Sequence, residues 1–557
     1  MPTSPHGWGT AHEAHLPWGR LHPESTRWQQ VPDRRAGHDR RRRGLGRRVR
    51  SRCPMRRPRM MRFDLLAPAG PAATAPVAAA AETAADLGLD ALYQAMAEQD
   101  PVVLEAVRAV LPLSLTDAAV IRYRQQVLAD CLAHPDAIRE LYEIACRATG
   151  IRRYTVGRSR RSNGMLRLAL QPMTELIATL RTLREACDRH RARFDSAGLN
   201  ELTGSLAAVL TDDYLHRVDT QLAALEFDHG LRFGATLGPG GTLTGLTLYD
   251  PPPPPARRRL GFDRARPQSF TAPETAEPGT DPLTQLKDRA LTTVAATVSH
   301  AADRIQDFFT RLRDQLAFYI GCLTLHRRLT AAGVPVCLPV VHPAGAPRLN
   351  CTGLREPGLC LSTPDPANTV TGNDIDADGR SFLIVTGANN GGKSTFLRSV
   401  GYAQLMMQAG MFVTADHFEA DVRAGVFTHF AAGEDRALTH GKLAEELARM
   451  SHLVDTLHPN SLLLCNESFA ATGDRDATTI ATDLFAALTT AGVKIVLVTH
   501  LTAYAHARHT LADPGDLFLR AARATDGHRS HRLTPGAPEP TAHATDLLRT
   551  VFPDGRG

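Results

Sequence analysis

The chain has 557 residues, of which 43% are hydrophobic and 22% charged, a composition typical of globular proteins with several domains. It has no apolar run of about eighteen residues and no signal-peptide pattern at its start, so neither a membrane span nor secretion is expected. Nine cysteines without a C-x-x-C pair favour buried thiols in the cytoplasm over a zinc site or a disulfide framework.

The net charge of +6 is unevenly distributed along the chain. Residues 1–60 contain 15 arginines and 4 acids, whereas in the remainder 49 basic residues face 54 acids. The arginine-rich start fits a nucleic-acid-binding arm, but a disordered tail, or sequence upstream of a start at Met60 or Met61, is the preferred interpretation. Sixty arginines against four lysines indicate a coding bias rather than a designed basic surface.

Residues 61–235 are predicted to form a mainly α-helical domain. Apolar residues recur at helical spacing from about residue 84, and Thr116 and Asp117 are candidate N-caps of one such helix. Arg152, Arg153 and residues 158–161 are the best candidates in the body for contacting DNA phosphates, although a solvated loop is the preferred interpretation.

Two further segments separate this domain from the rest. Residues 236–282 are rich in proline and glycine, which predicts an irregular linker with at most one pair of strands. Residues 283–334 regain helical periodicity, and their long apolar stripe predicts a single long helix whose aromatic residues belong to a core.

Residues 335–540 are predicted to form an α/β domain with a parallel sheet flanked by helices. Short apolar runs at 382–385, 461–465 and 494–498 alternate with helical patterns, as in parallel sheets that are covered on both faces. A short helix and tail are expected over 541–557.

The first of these runs leads into a P-loop pattern, G-x-x-x-x-G-K-[ST]. Its residues are Gly387, Ala388, Asn389, Asn390, Gly391, Gly392, Lys393, Ser394 and Thr395. Glycines allow successive backbone N–H groups to surround a phosphate, the lysine reaches the β/γ oxygens, and the Ser394 hydroxyl is a ligand for Mg²⁺. The sequence therefore predicts ATP and Mg²⁺ as cofactors.

Polar side chains follow the other two apolar runs, 461–465 and 494–498, directly at their ends. Glu467 is the candidate that orients or deprotonates the attacking water, and Asn466 stands where an aspartate usually supports the metal. His500 follows the third run and is a candidate sensor of the γ-phosphate, although a structural role is nearly as plausible.

In this order, the motifs resemble those of the MutS family of DNA mismatch-repair ATPases. The family's T-G-x-N-x-G-G-K-S-T loop appears at 386–395, its Walker B segment at 462–467, and its Thr-His pair at 499–500. Asp476 corresponds to the aspartate that ends the next loop, and Asn373 and Asp374 resemble the stretch that touches the nucleotide base. Less specifically, residues 121–130 and the long helix resemble the family's core and lever helices.

The resemblance implies an ATPase that binds double-stranded DNA, mismatched or branched, as a homodimer. Several family features are not evident: a mismatch-reading domain before residue 84, a full clamp insertion, a nuclease domain after the ATPase, and a serine where Gly441 stands. These departures leave alternatives open, namely a relative that binds branched or recombination DNA, or a nucleotide-gated scaffold with little hydrolysis. ABC-type and SMC-type ATPases fit less well, because the L-S-G-G-Q signature and long heptads are missing.

Overall fold

The computed structural model describes residues 63–68, 79–152, 162–226, 232–237, 243–249, 282–431, 442–470, 472–523 and 529–539. These residues form two compact units. One comprises the described residues within 144–188 and 204–310, and the other comprises those within 62–143, 189–203 and 311–557. The arginine-rich start, Gly441 and the expected C-terminal helix lie outside the described residues.

Helices dominate the first half of the chain, and helices alternate with strands in the second. The helices of the described part are α1 (Ala80–Leu87), α2 (Leu89–Ala97), α3 (Pro101–Val110), α4 (Ala118–Ala133), α5 (Pro135–Thr149), α6 (Ser162–His190), α7 (Ala197–Val209), α8 (Asp212–Leu225), α9 (Pro282–Ala331), α10 (Pro357–Ser362), α11 (Pro366–Thr369), α12 (Lys393–Ala409), α13 (Lys442–Thr456), α14 (Asp474–Thr490) and α15 (Thr502–Thr510). The strands are β1 (Arg232–Leu237), β2 (Leu243–Tyr249), β3 (Val340–His342), β4 (Leu349–Leu354), β5 (Asn373–Asp376), β6 (Phe382–Thr386), β7 (His417–Asp421), β8 (Val426–Phe430), β9 (Leu462–Asn466), β10 (Lys494–Val498), β11 (Asp516–Arg523) and β12 (Arg529–Pro535). None of these helices combines the length and hydropathy of a membrane span.

The helical signals in the sequence have local physical causes. Asp117 caps α4, accepting a hydrogen bond of 2.8 Å from the backbone N–H of Ala119, as expected from its position. The predicted long helix is α9, which covers 282–331 without interruption. Strands β1 and β2 form an antiparallel pair around the start of the segment predicted as a linker. The domain limits themselves stay a prediction.

The second unit contains two sheets. The larger has six strands in the order β12-β11-β6-β10-β9-β8, and all neighbours pair in parallel except β11 with the antiparallel β12. The smaller has four strands in the order β3-β7-β4-β5. The fold is thus a helical region followed by α/β sheets, as the sequence predicts, with an antiparallel edge hairpin and a second sheet in addition.

Helices cover both faces of the six-stranded sheet. On one face, α13, α14 and α15 pack an aromatic core with the strands, formed by Phe382, Phe427, Phe469, Phe485 and Tyr504. On the other face lies α12, and a Cβ at Gly401 would be only 2.7 Å from the Leu464 side chain of β9. Because α12 is buried along nearly its whole length, its first turn is held firmly at the carboxyl end of β6.

Candidate nucleotide site

The glycine-rich loop 387–392 joins β6 directly to α12. Gly387 (φ 113°), Asn390 (φ 58°) and Gly392 (φ 88°) all adopt left-handed backbone conformations. Glycine adopts this region at little cost, and asparagine tolerates it better than most residues. The sequence therefore has the residue types that this tight turn at the N-terminus of a helix requires.

Strand β11 packs closely against this loop. A Cβ built on Gly391 would lie 2.6 Å from the Cβ of Ala521, and one on Gly387 would lie 3.0 Å from the Ala521 backbone nitrogen. A side chain at either position would therefore collide with Ala521, and Gly387 is also required for its left-handed backbone conformation. The hairpin of β11 and β12 was not recognised as part of the site from the sequence, where no motif marks it.

The Lys393 ammonium lies across the loop. Its side chain is 5% exposed, and Nζ donates hydrogen bonds to the carbonyl oxygens of Gly387 (2.8 Å) and Ala388 (3.0 Å). Next to it, the Ser394 hydroxyl donates a hydrogen bond of 2.9 Å to Oδ1 of Asn466 at the end of β9. The oxygens of Ser394 and Asn466 therefore lie together beside the loop, and their role as metal ligands stays a prediction.

Glu467 and His500 meet at the same edge of the sheet. Nε2 of His500 lies 2.6 Å from Oε1 of Glu467, and Glu467 has a left-handed backbone with φ of 56°. The hydrogen bond from His500 lowers the pKa of the Glu467 carboxyl, and the positive charge of Lys393 acts in the same direction. Glu467 is thus an ionised carboxylate at neutral pH.

The remaining predicted residues lie in different surroundings. Asn373 is buried, and its Oδ1 accepts a hydrogen bond of 2.8 Å from the backbone N–H of Leu533 in β12. Asp374 accepts one of 2.7 Å from the backbone N–H of Gly353. Asp476 is exposed in the first turn of α14. Arg152 is exposed in the other unit, and Arg153 and residues 158–161 lie outside the described residues.

Two buried polar residues behind Glu467 were missed. Ser468 follows Glu467 directly, and its Oγ lies 2.7 Å from Nδ1 of His429 on the neighbouring strand β8. The only sequence signal was a histidine beside Thr428 in β8, whose other residues are apolar. The described residues contain no cluster of three or more His, Cys, Asp or Glu side chains able to hold a metal ion.

Comparison with known proteins places this site within a matched domain. The family model of the MutS2 N-terminal domain matches residues 116–332, and that of MutS domain V matches residues 383–534, which include the loop, Asn466, Glu467 and His500.

Curated relatives match shorter stretches. The DNA mismatch repair protein MutS of Chloroflexus aurantiacus is 39% identical over 112 residues, 20% of this chain and 12% of the relative. The MutS of Thermotoga petrophila is 35% identical over 131 residues, 23% of this chain and 16% of the relative. The DNA mismatch repair protein msh-2 of Neurospora crassa is 26% identical over 198 residues, 35% of this chain and 21% of the relative. The matched part thus spans between 12% and 21% of these relatives' length.

Proposed function

The chain belongs to the MutS family, and on that premise we propose that it is a DNA-binding ATPase acting in mismatch repair or a related process. ATP binding and hydrolysis would change its grip on double-stranded DNA, as in a clamp formed by two copies of the chain. The observation that carries this proposal is the convergence of Lys393, Ser394 with Asn466, and Glu467 with His500 around one glycine-rich loop. A cytoplasmic location belongs to the same proposal.

The proposed reaction is attack of water on the γ-phosphorus of ATP, which breaks its bond to the oxygen bridging the β- and γ-phosphates and releases ADP and phosphate. Lys393 exchanges its two loop carbonyls for phosphate oxygens, since both kinds of partner accept hydrogen bonds from the same ammonium. Ser394 and Asn466 would hold Mg²⁺, which accepts a few protein oxygens beside phosphate and supplies neutralising charge. Glu467, ionised at neutral pH, orients the water and accepts its proton. His500 holds the Glu467 carboxylate until nucleotide arrives.

The deciding experiment compares two glutamates that each contact a histidine. Glu467→Gln should lower the rate of phosphate release from ATP by about a hundredfold or more, while ATP binding is kept. Glu419→Gln is the matched control, because Glu419 contacts His342 at 2.9 Å in the four-stranded sheet. Wild-type turnover that is absent, or that Glu467→Gln leaves unchanged, would rule out the ATPase mechanism.

A nucleotide-gated scaffold with little hydrolysis is the second candidate. It is favoured by Asn466, which brings a neutral amide oxygen to Ser394 where the family usually has a carboxylate. Stoichiometric ATP binding without turnover, combined with ATP-dependent changes in DNA affinity, would establish this candidate instead.

The kind of DNA bound is tested separately. Competition among homoduplex, mismatched and four-way substrates must be run at one fixed salt concentration, because phosphate contacts make affinity depend steeply on salt. Preference for a mismatch supports a repair role, whereas preference for the four-way substrate supports action on branched DNA.

A further inference from the structure

The segment that carries Glu467 is a strained turn. Glu467 (φ 56°) and Phe469 (φ 69°) both have left-handed backbones, and Ser468 lies between them. Such conformations cost on the order of 1 kcal/mol or more for residues other than glycine, so surrounding contacts must hold them. The Glu467 backbone N–H donates to the carbonyl of Val498 at 2.9 Å, which fixes the beginning of the turn.

The middle of the turn is held by His429. Both side chains are buried, with His429 1% and Ser468 2% exposed, and Nε2 of His429 lies 3.2 Å from the backbone oxygen of Glu446 in α13. Burial, and next the positive charge of Arg449, lower the pKa of His429 to about 4, so the ring is neutral at neutral pH. The Glu446 carbonyl can only accept, which places the single ring proton on Nε2. Nδ1 then accepts the hydrogen bond from the Ser468 hydroxyl, whose oxygen also lies 3.2 Å from the backbone carbonyl oxygen of His429.

The end of the turn is held by the same helix. The Phe469 ring is fully buried, with its centroid 5.9 Å from that of His429. Phe469 packs in the same core cluster as Met450 and Leu453 of α13. Burial raises the pKa of the Glu446 carboxyl, and the nearby Phe469 backbone N–H opposes this increase. Consequently α13 supports both sides of the turn, by the Glu446 backbone carbonyl through His429 and by side-chain packing at Phe469.

We propose that His429 and Ser468 are positioning residues that fix where the Glu467 carboxylate points. This role rests on the proposed ATPase function. The hydrogen bonds that hold both residues do not use the Glu467 carboxylate, so they act on it through the backbone. His500 contacts the carboxylate itself, with Nε2 2.6 Å from Oε1, whereas the buried pair acts on the turn that carries it.

Three substitutions test the pair. Ser468→Ala and His429→Phe should each lower kcat for ATP hydrolysis about ten- to a hundredfold, because a small misplacement of a catalytic group has that effect. KM and ATP affinity should stay within about twofold, since the phosphate loop is untouched. His429→Asn keeps an acceptor near the Nδ1 position and should recover kcat to within about threefold of wild type.

Ser399→Ala is the matched control. Ser399 is also 2% exposed, and its hydroxyl donates to the Phe396 carbonyl at 2.7 Å, so the chemical change is the same away from the turn. A Ser468→Ala variant that loses only thermal stability, or that lowers kcat no more than Ser399→Ala, would overturn the positioning role.

Crystal structures separate this inference from the ATPase proposal. In Ser468→Ala, the carboxylate of Glu467 should leave its position beside Nε2 of His500, whereas in Ser399→Ala it should stay. An unmoved carboxylate overturns the inference. Because this comparison needs no turnover, a wild type that does not hydrolyse ATP would remove the proposed ATPase and still leave the role of the pair decided.

Discussion

Polar groups lie at both ends of the strands of the six-stranded sheet, and the two ends differ in how these groups are hydrogen-bonded. The carboxyl edge is the side where the parallel strands end, and the amino edge is the side where they begin. At the carboxyl edge, Lys393 donates to two loop carbonyls, and Ser394 pairs with Asn466. These contacts are local and replaceable, because a phosphate or a metal-bound water offers the same hydrogen-bonding groups. In the proposed function, this edge would exchange these protein partners for a ligand.

At the amino edge, the polar groups are buried in the core. Arg423 is bonded to Asp421 and, at 3.1 Å, to Asn460, while Lys494 begins β10 with 2% of its surface exposed. Within the described part of the chain, neither Lys494 Nζ nor Asp421 Oδ2 has a hydrogen-bond partner. Burial, and next the charge of Arg423, lower the pKa of Lys494 to about 7. A buried lysine alone therefore does not indicate a ligand site, whereas one with exchangeable acceptors does.

The strongest test of this contrast replaces each lysine by methionine. Lys393→Met should abolish ATP binding and reduce phosphate release at least about a thousandfold, because the ammonium neutralises the transferred phosphate. Lys494→Met should leave both within about twofold. Equal loss of activity in the two folded variants would contradict the distinction between the edges.

The substitution at Lys494 should affect stability rather than activity, and it should make the protein more stable. Lys494→Met should raise the free energy of unfolding at pH 7 by about 1–4 kcal/mol, because it removes a buried and poorly compensated charge. Between pH 7 and 8.5 the folded lysine loses its proton and the unfolded one keeps it, so wild-type stability should rise and the gap should narrow. Urea unfolding at both pH values measures this. A variant less stable than wild type at both would show that the amine is paired with Asp421.

The tight fit of the loop against β11 predicts a smaller effect. Gly391→Ala should weaken ATP binding about tenfold, because its Cβ would overlap that of Ala521. Gly473→Ala is the control, since no atom lies within 4 Å of a Cβ there. Adding Ala521→Gly should recover most of the affinity, as isothermal titration would measure. Failure of this double variant to recover would mean that the alanine acts through something other than the steric contact.

The smallest expected effect concerns the metal. Asn466→Asp should lower the Mg²⁺ concentration for half-maximal activity about two- to fivefold, because a carboxylate adds negative charge beside Ser394. Asn460→Asp makes the same change at the amino edge and should leave the Mg²⁺ dependence unaltered. Magnesium titrations of both variants decide this, and a matching shift in Asn460→Asp would assign the effect to net charge alone.

Much of the site was predictable from the sequence, because its determinants are local. Glycine and asparagine types in 387–392 reveal the left-handed turns, and three apolar runs reveal the strands that end at one edge. Parallel strands of one sheet bring their carboxyl ends to the same edge, so Glu467 and His500, which follow the adjacent strands β9 and β10, could be expected close together. These predictions needed only residue type and order. The contact of Ser394 with Asn466 reaches past β10, which lies between β6 and β9, so it depends on the strand order.

The tertiary structure alone decided which buried polar residues support the site and which do not. His429 lies about forty positions before Ser468, and only the pairing of β8 with β9 brings them together. Ala521 limits the loop because β11 is inserted beside β6, which residue order does not reveal. Lys393 begins α12 after the loop that follows β6, and Lys494 begins β10; both lysines are buried. Their difference lies in the acceptors that the fold places around each amine, and residue spacing does not encode those.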